Sequence, residues 1–178
     1  PRRELKLDLS VKREAALPAD SIRRGVVNGR EGMKEAIRPF RANLFNHGPQ
    51  RWVLCPNERT NLPVLVRARK SDFPEEFPVE LGLVLRAIGV PGEVAARESR
   101  HSAEVRFGKT LNRSIRGSLN DMAYHMNWEL ERRGGDSIAA AAVLSEMPCR
   151  QPDFIVPGRE VFSLLGIEAQ YDGTRIDR

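Results

Sequence analysis

Three β-prone runs joined by very short turns constrain this chain more than any other feature. Phe40 to Phe45 alternates Phe40, Ala42 and Leu44 against Arg41 and Asn43. Arg51 to Cys55 is apolar, and Leu62 to Arg69 sets Leu62, Val64, Val66 and Ala68 on one side. The connections, Asn46-His47-Gly48-Pro49 and Pro56-Asn57-Glu58-Arg59, are built from turn-forming residues. A parallel crossover needs about a dozen residues or more, so these runs are expected to pair as an antiparallel meander. Leu5, Leu7 and Leu9 alternate in the same way, as do Ala103, Val105 and Phe107, and both read as further strands. Residues 18–32 mix Pro, Gly, Asn and Arg without a period and read as a loop, followed by a short helical piece from Met33 to Ile37.

Helical periodicity begins after Ser71-Asp72-Phe73-Pro74. Phe77, Leu81, Val84, Leu85 and Ile88 are spaced for a helix over Glu75–Ile88, with Pro78 tolerated only in its first turn. Glu93 to Arg100 is charged and ambiguous. Residues 111–132 carry the longest helical stripe, Leu111, Ile115, Leu119, Met122, Met126 and Leu130, closed by Gly134-Gly135. Asp136 or Ser137 can cap an alanine-rich helix, Ile138–Met147, that ends at Pro148. Residues 150–157 read as extended and Val161–Leu165 as a short helix. The resulting fold class is α+β: a mainly antiparallel sheet of about four to five strands, the long helix 111–132 packed on one face, and short C-terminal helices. One domain spans 1–165, with a polar tail at 166–178.

The 178 residues suffice for one hydrophobic core. No apolar run approaches the roughly 18 residues of a membrane span, and the first ten residues lack the apolar centre of a signal peptide. Cys55 and Cys149 have no CxxC partner and read as reduced thiols, so a cytoplasmic location without membrane contact is expected. His47, His101 and His125 are scattered, and neither a metal site nor a cofactor is implied. The net charge of +5 is uneven: residues 1–70 hold 16 Lys and Arg against 7 Asp and Glu, and the remainder 13 against 17. A basic first part suits nucleic acid or an acidic protein. Trp52 and Trp128 read as half-buried core aromatics. Only if Trp52 and Phe40 faced outwards beside Arg41 and Arg51 would they make a stacking platform.

One polar run, Asn112 to Asp121, exceeds what core packing requires. Together with Lys109-Thr110 it resembles a pattern, Lys-Thr then Asn-Arg-Ser-Val-Leu-Gly-Ser-Met-Asn-Asp, of a bacterial family classed only as a domain of unknown function. Ala42-Asn43-Leu44-Phe45, then Arg51-Trp52-Val53-Leu54, Asn57 and Thr60 resemble the other half of that pattern. This chain departs at Ile115, Arg116 and Leu119. The resemblance covers roughly residues 40–132. It implies a bacterial intracellular protein and brings no activity.

The residues themselves admit three functional readings. Asn112, Ser114, Gly117, Ser118, Asn120 and Asp121 form a polar, small-residue face suited to close packing. Lys109, Arg113 and Arg116 gather near the start of the helix and suit an anion. The first reading is accordingly a non-enzymatic binding module for nucleic acid or an acidic partner. The second is an enzyme, hydrolase or transferase, acting on a phosphorylated small molecule or nucleotide. Asp121 and His125, with Glu129 one turn further, are its catalytic candidates and Arg113 its anion holder. The third is a structural protein that self-associates through the Met122/Met126 side.

Overall fold

The computed structural model describes residues 7–9, 37, 40–68, 73–102, 115–150 and 154–167. The meander forms as its short turns demand. Strands β1 (Leu7–Leu9), β2 (Phe40–His47), β3 (Gln50–Pro56) and β4 (Pro63–Arg67) lie in sequence order, each antiparallel to the next. His47 pairs with Gln50 around a Gly48-Pro49 turn, where Gly48 takes a φ of 54°. That left-handed conformation is open to glycine at the first turn position. The described sheet therefore has three substantial strands and the short β1; the expected strand at Ala103–Phe107 lies outside the described residues, as does most of Met33–Ile37.

One expectation about the sheet is corrected. The alternation in Leu62–Arg69 implies a single buried face, yet every residue from Pro63 to Val66 is buried, as is every residue from Trp52 to Pro56. Both faces of β3 and β4 are thus removed from water over these residues, which explains why Trp52–Cys55 is continuously apolar rather than alternating. Phe40 and Trp52 are 0% and 3% exposed, so neither offers a stacking platform. Arg67 instead lays its guanidinium 5.3 Å from the Trp52 ring centre.

The β3–β4 connection is tied by a buried carboxamide. Asn57, 0% exposed, accepts at Oδ1 from the backbone N–H of Arg59 and Thr60 and from the Thr60 hydroxyl, at 3.0, 2.9 and 3.1 Å. Thr60 Oγ1 then accepts from Leu62 N–H, while Asn61 adopts a φ of 57° and returns its N–H to the Asn57 carbonyl. Asn tolerates that left-handed position better than a branched residue. The two polar residues that carry the strand half of the family resemblance, Asn57 and Thr60, are therefore used to close this turn.

Helix α1 (Phe73–Ala87) begins two residues earlier than its periodicity suggests. Phe73 is drawn into the core, where it stacks on Phe77 at 5.8 Å, and Phe77 meets Phe40 edge-on at 5.0 Å. Burying side chains of this size contributes about 1.5–3 kcal/mol each. The earlier start places Pro78 in the second turn, a correction to the expectation that it sits in the first. The charged, ambiguous stretch Glu93–Arg100 belongs to helix α2 (Gly92–His101). It approaches α1 closely: a Cβ on Gly82 would lie 3.3 Å from Ser99 Cβ, and Ser99 Oγ donates to the Pro78 carbonyl at 2.7 Å. Its Glu98, 2% exposed, accepts from Ile37 N–H at 3.1 Å and so binds the approach to β2.

Helix α3 (Ile115–Arg132) is followed by a glycine turn, with Gly134 and Gly135 both at positive φ and Gly135 N–H bonded to the Leu130 carbonyl. Asp136 caps α4 (Ser137–Glu146), accepting from Ile138 and Ala139 N–H at 3.0 Å each. The extended stretch 150–157 contains half of a small ribbon, β5 (Cys149–Arg150) with β6 (Phe154–Ile155). Helix α5 (Pro157–Leu165) starts at a proline and stops at Gly166, whose φ is 58°. The helices that pack on β4 are α1 and α4, whereas α3 packs on α4 and reaches the sheet at β2. The arrangement is α+β, with the helix layer shared among several elements. Residues 111–114 of the expected long helix, and 168–178 of the polar tail, lie outside the described residues.

Two outcomes follow from this packing. Asn57→Ala removes the acceptor for two buried donors on Thr60 and a half-buried one on Arg59, and should lower unfolding stability by about 2–3 kcal/mol, read from urea midpoints at unchanged slope. Glu80 on α1 places Oε2 out of water without a hydrogen-bond partner among the described residues. Burial pushes its carboxyl above the ordinary range, Glu76 reinforces this, Arg67 opposes it and Asp136 adds to it. A carboxyl raised in the folded state favours folding below its unfolded pKa, and that contribution is lost as pH rises through the folded value. Glu80→Gln should therefore be more stable than the parent at neutral pH, with the difference shrinking as pH falls through the raised value of the folded protein and gone once pH is below the ordinary glutamate range. Paired urea titrations at neutral and acidic pH check this.

Candidate functional site

Helix α3 divides its side chains by periodicity. Leu119, Ala123, Met126 and Leu130 are buried, and Met122 packs partly buried against the same core. The steps are four, three and four, as one core-facing stripe requires. The Met122/Met126 side expected for self-association thus faces inward, Met126 being 0% exposed. The opposite side carries Asn120, Asp121, Tyr124, His125, Trp128 and Arg132, all exposed.

The aromatic residues on that side are organised. Tyr124 is 72% exposed and Trp128 47%. They stand four residues apart, about 6 Å along the axis. Arg132, one turn further, sits 4.5 Å over the Trp128 ring, and the His125 ring meets Tyr124 edge-on at 5.7 Å. The expectation of a core position for Trp128 is corrected. It lies off the buried stripe, two residues past Met126, and packs instead under a guanidinium. The ridge is braced at one flank, where His47 Nδ1 donates to Asn127 Oδ1 at 2.7 Å and joins the β2–β3 hairpin to α3. Exposed Arg51 stands at the same hairpin end, paired across the strands with Asn46.

The Asp121, His125 and Glu129 row does not stay on one face. A step of four residues turns the helix by about 40° beyond a full circle, and two such steps carry Glu129 round towards the core. Asp121 and His125 are exposed, whereas Glu129 is 2% exposed and bound by Arg133 Nε at 3.0 Å and Arg132 at 3.7 Å. Glu129 thereby orients the arginine that covers Trp128. Of the anion-binding candidates, Lys109 and Arg113 lie outside the described residues, as do Asn112 and Ser114 of the polar face. Arg116, Gly117 and Ser118 fall in the first turn of α3. Within the basic part of the chain, Arg41 is held by Glu58 at 2.9 Å and Arg67 by Trp52.

Other reactive groups are occupied or shielded. Burial pushes the Cys55 thiol well up, and Cys149 is raised by burial against a smaller lowering from the Asn61 side chain. Among the described residues, no group of three His, Cys, Asp or Glu is placed to hold a metal ion, and no helix is long and apolar enough to cross a membrane. The Tyr124–Trp128–Arg132 ridge is the feature that the sequence reading misses. Its signal is present there: all three residues sit off the apolar stripe at a spacing of four.

Comparison with known proteins adds a family and nothing about chemistry. No match is found among curated proteins or among solved structures. The sequence model of the domain of unknown function DUF6933 matches residues 8–160, which take in every strand and helix from β2 to β6. The chain belongs to the DUF6933 family.

Proposed function

We propose that this protein is a non-enzymatic binding module and that its partner is a single-stranded nucleic acid held on the α3 ridge. The observation that carries the reading is the exposed pair Tyr124 and Trp128, 72% and 47% accessible, with Arg132 at 4.5 Å from the Trp128 ring. Aromatic faces beside a guanidinium stack bases without regard to sequence, at about 1–3 kcal/mol per base. The net charge of +5 and pI of about 9.7 favour a polyanion over a neutral ligand. Arg51 supplies a phosphate contact in this reading, and Lys109, Arg113 and Arg116, close in sequence to the first residue of α3, are the basic residues expected to add to it. Asp121 and His125 stand on the outward side of the helix, where water competes for both, which favours binding over catalysis. A cytoplasmic location fits this role.

An acidic protein surface is the second reading, because Tyr, Trp and Arg are also the residues that anchor protein interfaces. A fluorescence titration separates the two. Trp52 is 3% exposed, so quenching by added oligonucleotide reports Trp128. Short single-stranded DNA and RNA should quench emission at low salt and release as salt rises. Trp128→Ala or Tyr124→Ala should weaken binding, measured by anisotropy of a labelled oligonucleotide, by about tenfold each. Absence of binding at low salt rejects nucleic acid and leaves the acidic protein partner.

A further inference from the structure

A second surface lies on α1, away from the ridge. The core-facing side of this helix is Phe77, Leu81, Val84 and Leu85, each 0% exposed. Opposite it, Val79 and Leu83 are 58% and 42% exposed. These two, with Glu76 and Arg86, fall within an arc of about 80° around the helix axis, the width of a seam between two helices. Among the described residues, neither apolar side chain belongs to the core cluster, and both are exposed on the same arc.

The order of the four residues is symmetric about the level of Leu81. Val79 and Leu83 lie two residues to either side of it, and Glu76 and Arg86 five to either side. A helix with this pattern is complementary to its own reverse. Laid antiparallel across a two-fold axis, Val79 of one copy meets Leu83 of the other, and Glu76 of one meets Arg86 of the other, twice over. Isologous contacts of this kind are the commonest way soluble chains pair. Acid at the N-terminal end and base at the C-terminal end also complement each helix's own dipole.

We infer that this face of α1 binds a second copy of the chain in an antiparallel, two-fold dimer centred at Leu81. The charge order selects the occupant: a parallel neighbour would set Glu76 against Glu76 and Arg86 against Arg86. The inference is independent of any partner on α3. Two aliphatic residues and two ion pairs make a small interface, so the dimer is weak and concentration-dependent.

Sedimentation velocity over a wide concentration range tests this. The parent protein should shift from monomer to dimer as concentration rises. Glu76→Arg and Arg86→Glu should each raise the dimer Kd by about tenfold or more, because each change alters two symmetric pairs. An equimolar mixture of the two variants should recover the parent's association. In that heterodimer the introduced arginine faces the introduced glutamate at one end, and the unchanged Arg86 of one copy faces the unchanged Glu76 of the other at the opposite end. Leu83→Ser, an exposed position whose change leaves the core intact, should abolish the dimer. A strict monomer at the highest concentration, or a dimer that the charge reversals and Leu83→Ser leave unchanged, overturns the inference.

Discussion

The turn between β3 and β4 depends on one side-chain oxygen, and the register of the β3–β4 pair depends on that turn. Asn57 Oδ1 gathers three donors, and Thr60 passes a fourth contact on to Leu62. Because side chains alternate along a strand, a one-residue slip in β4 would exchange its two faces. Here both faces are buried, so the apolar pattern gives little protection against slippage: Val64, Leu65 and Val66 are all 1% exposed or less. The polar turn supplies the specificity that the strand residues lack. Phe40 forms an isolated bridge with Asn57, which places the start of β2 on the same fixed point. Phe77 and Phe73 then stack from that phenyl ring outwards along α1.

A buried carboxylate plays a comparable part on α2 and on α3. Glu98 would cost several kcal/mol to desolvate alone. It is offset by the Ile37 N–H and by Arg97. Glu129 is offset by Arg133 and Arg132. In the second case the consequence reaches the surface. Arg132 lies 3.7 Å from Glu129 and 4.5 Å from the Trp128 ring centre, so the guanidinium that faces the buried carboxylate also covers the outward indole.

What can be read from the sequence follows the range of the forces involved. The strands of the meander are local in origin: short turns and β-prone runs suffice, and Phe40–His47, Gln50–Pro56 and Pro63–Arg67 stand close to where those runs place them. The Asp136 cap is likewise local, a carboxylate within reach of the next free N–H groups. Helix α2 is not. Its charged sequence is weakly apolar, and what holds it is a glycine on another helix and a backbone N–H 61 residues away. The early start of α1 comes from the pull of Phe73 on Phe77 within the core, which no local propensity encodes. For the candidate site, Asp121 and His125 are legible as residues of one face, but the slow rotation of a four-residue repeat hides the turn of Glu129 into the core. An inward Trp128 follows from its size rather than its phase, and phase is the better guide.

The helices that carry the two surfaces, α1 and α3, both pack on α4. Ala140 and Ala141, both 0% exposed, give its middle little side-chain bulk, and α1, α3, α5 and β4 all pack upon it. Ser145 keeps its hydroxyl occupied by donating to the Ala141 carbonyl, so even its polar group does not hold the neighbours apart. Small residues bring helix axes close and leave little room for independent movement. The outward faces of α1 and α3 are thus borne by helices seated on one common support. Pairing through α1 would fix two α3 ridges in a set relation, and a flexible polymer such as single-stranded nucleic acid could engage both. Each contact then raises the effective concentration of the other, so a ridge of only two aromatic residues per chain can bind more tightly than its own area allows.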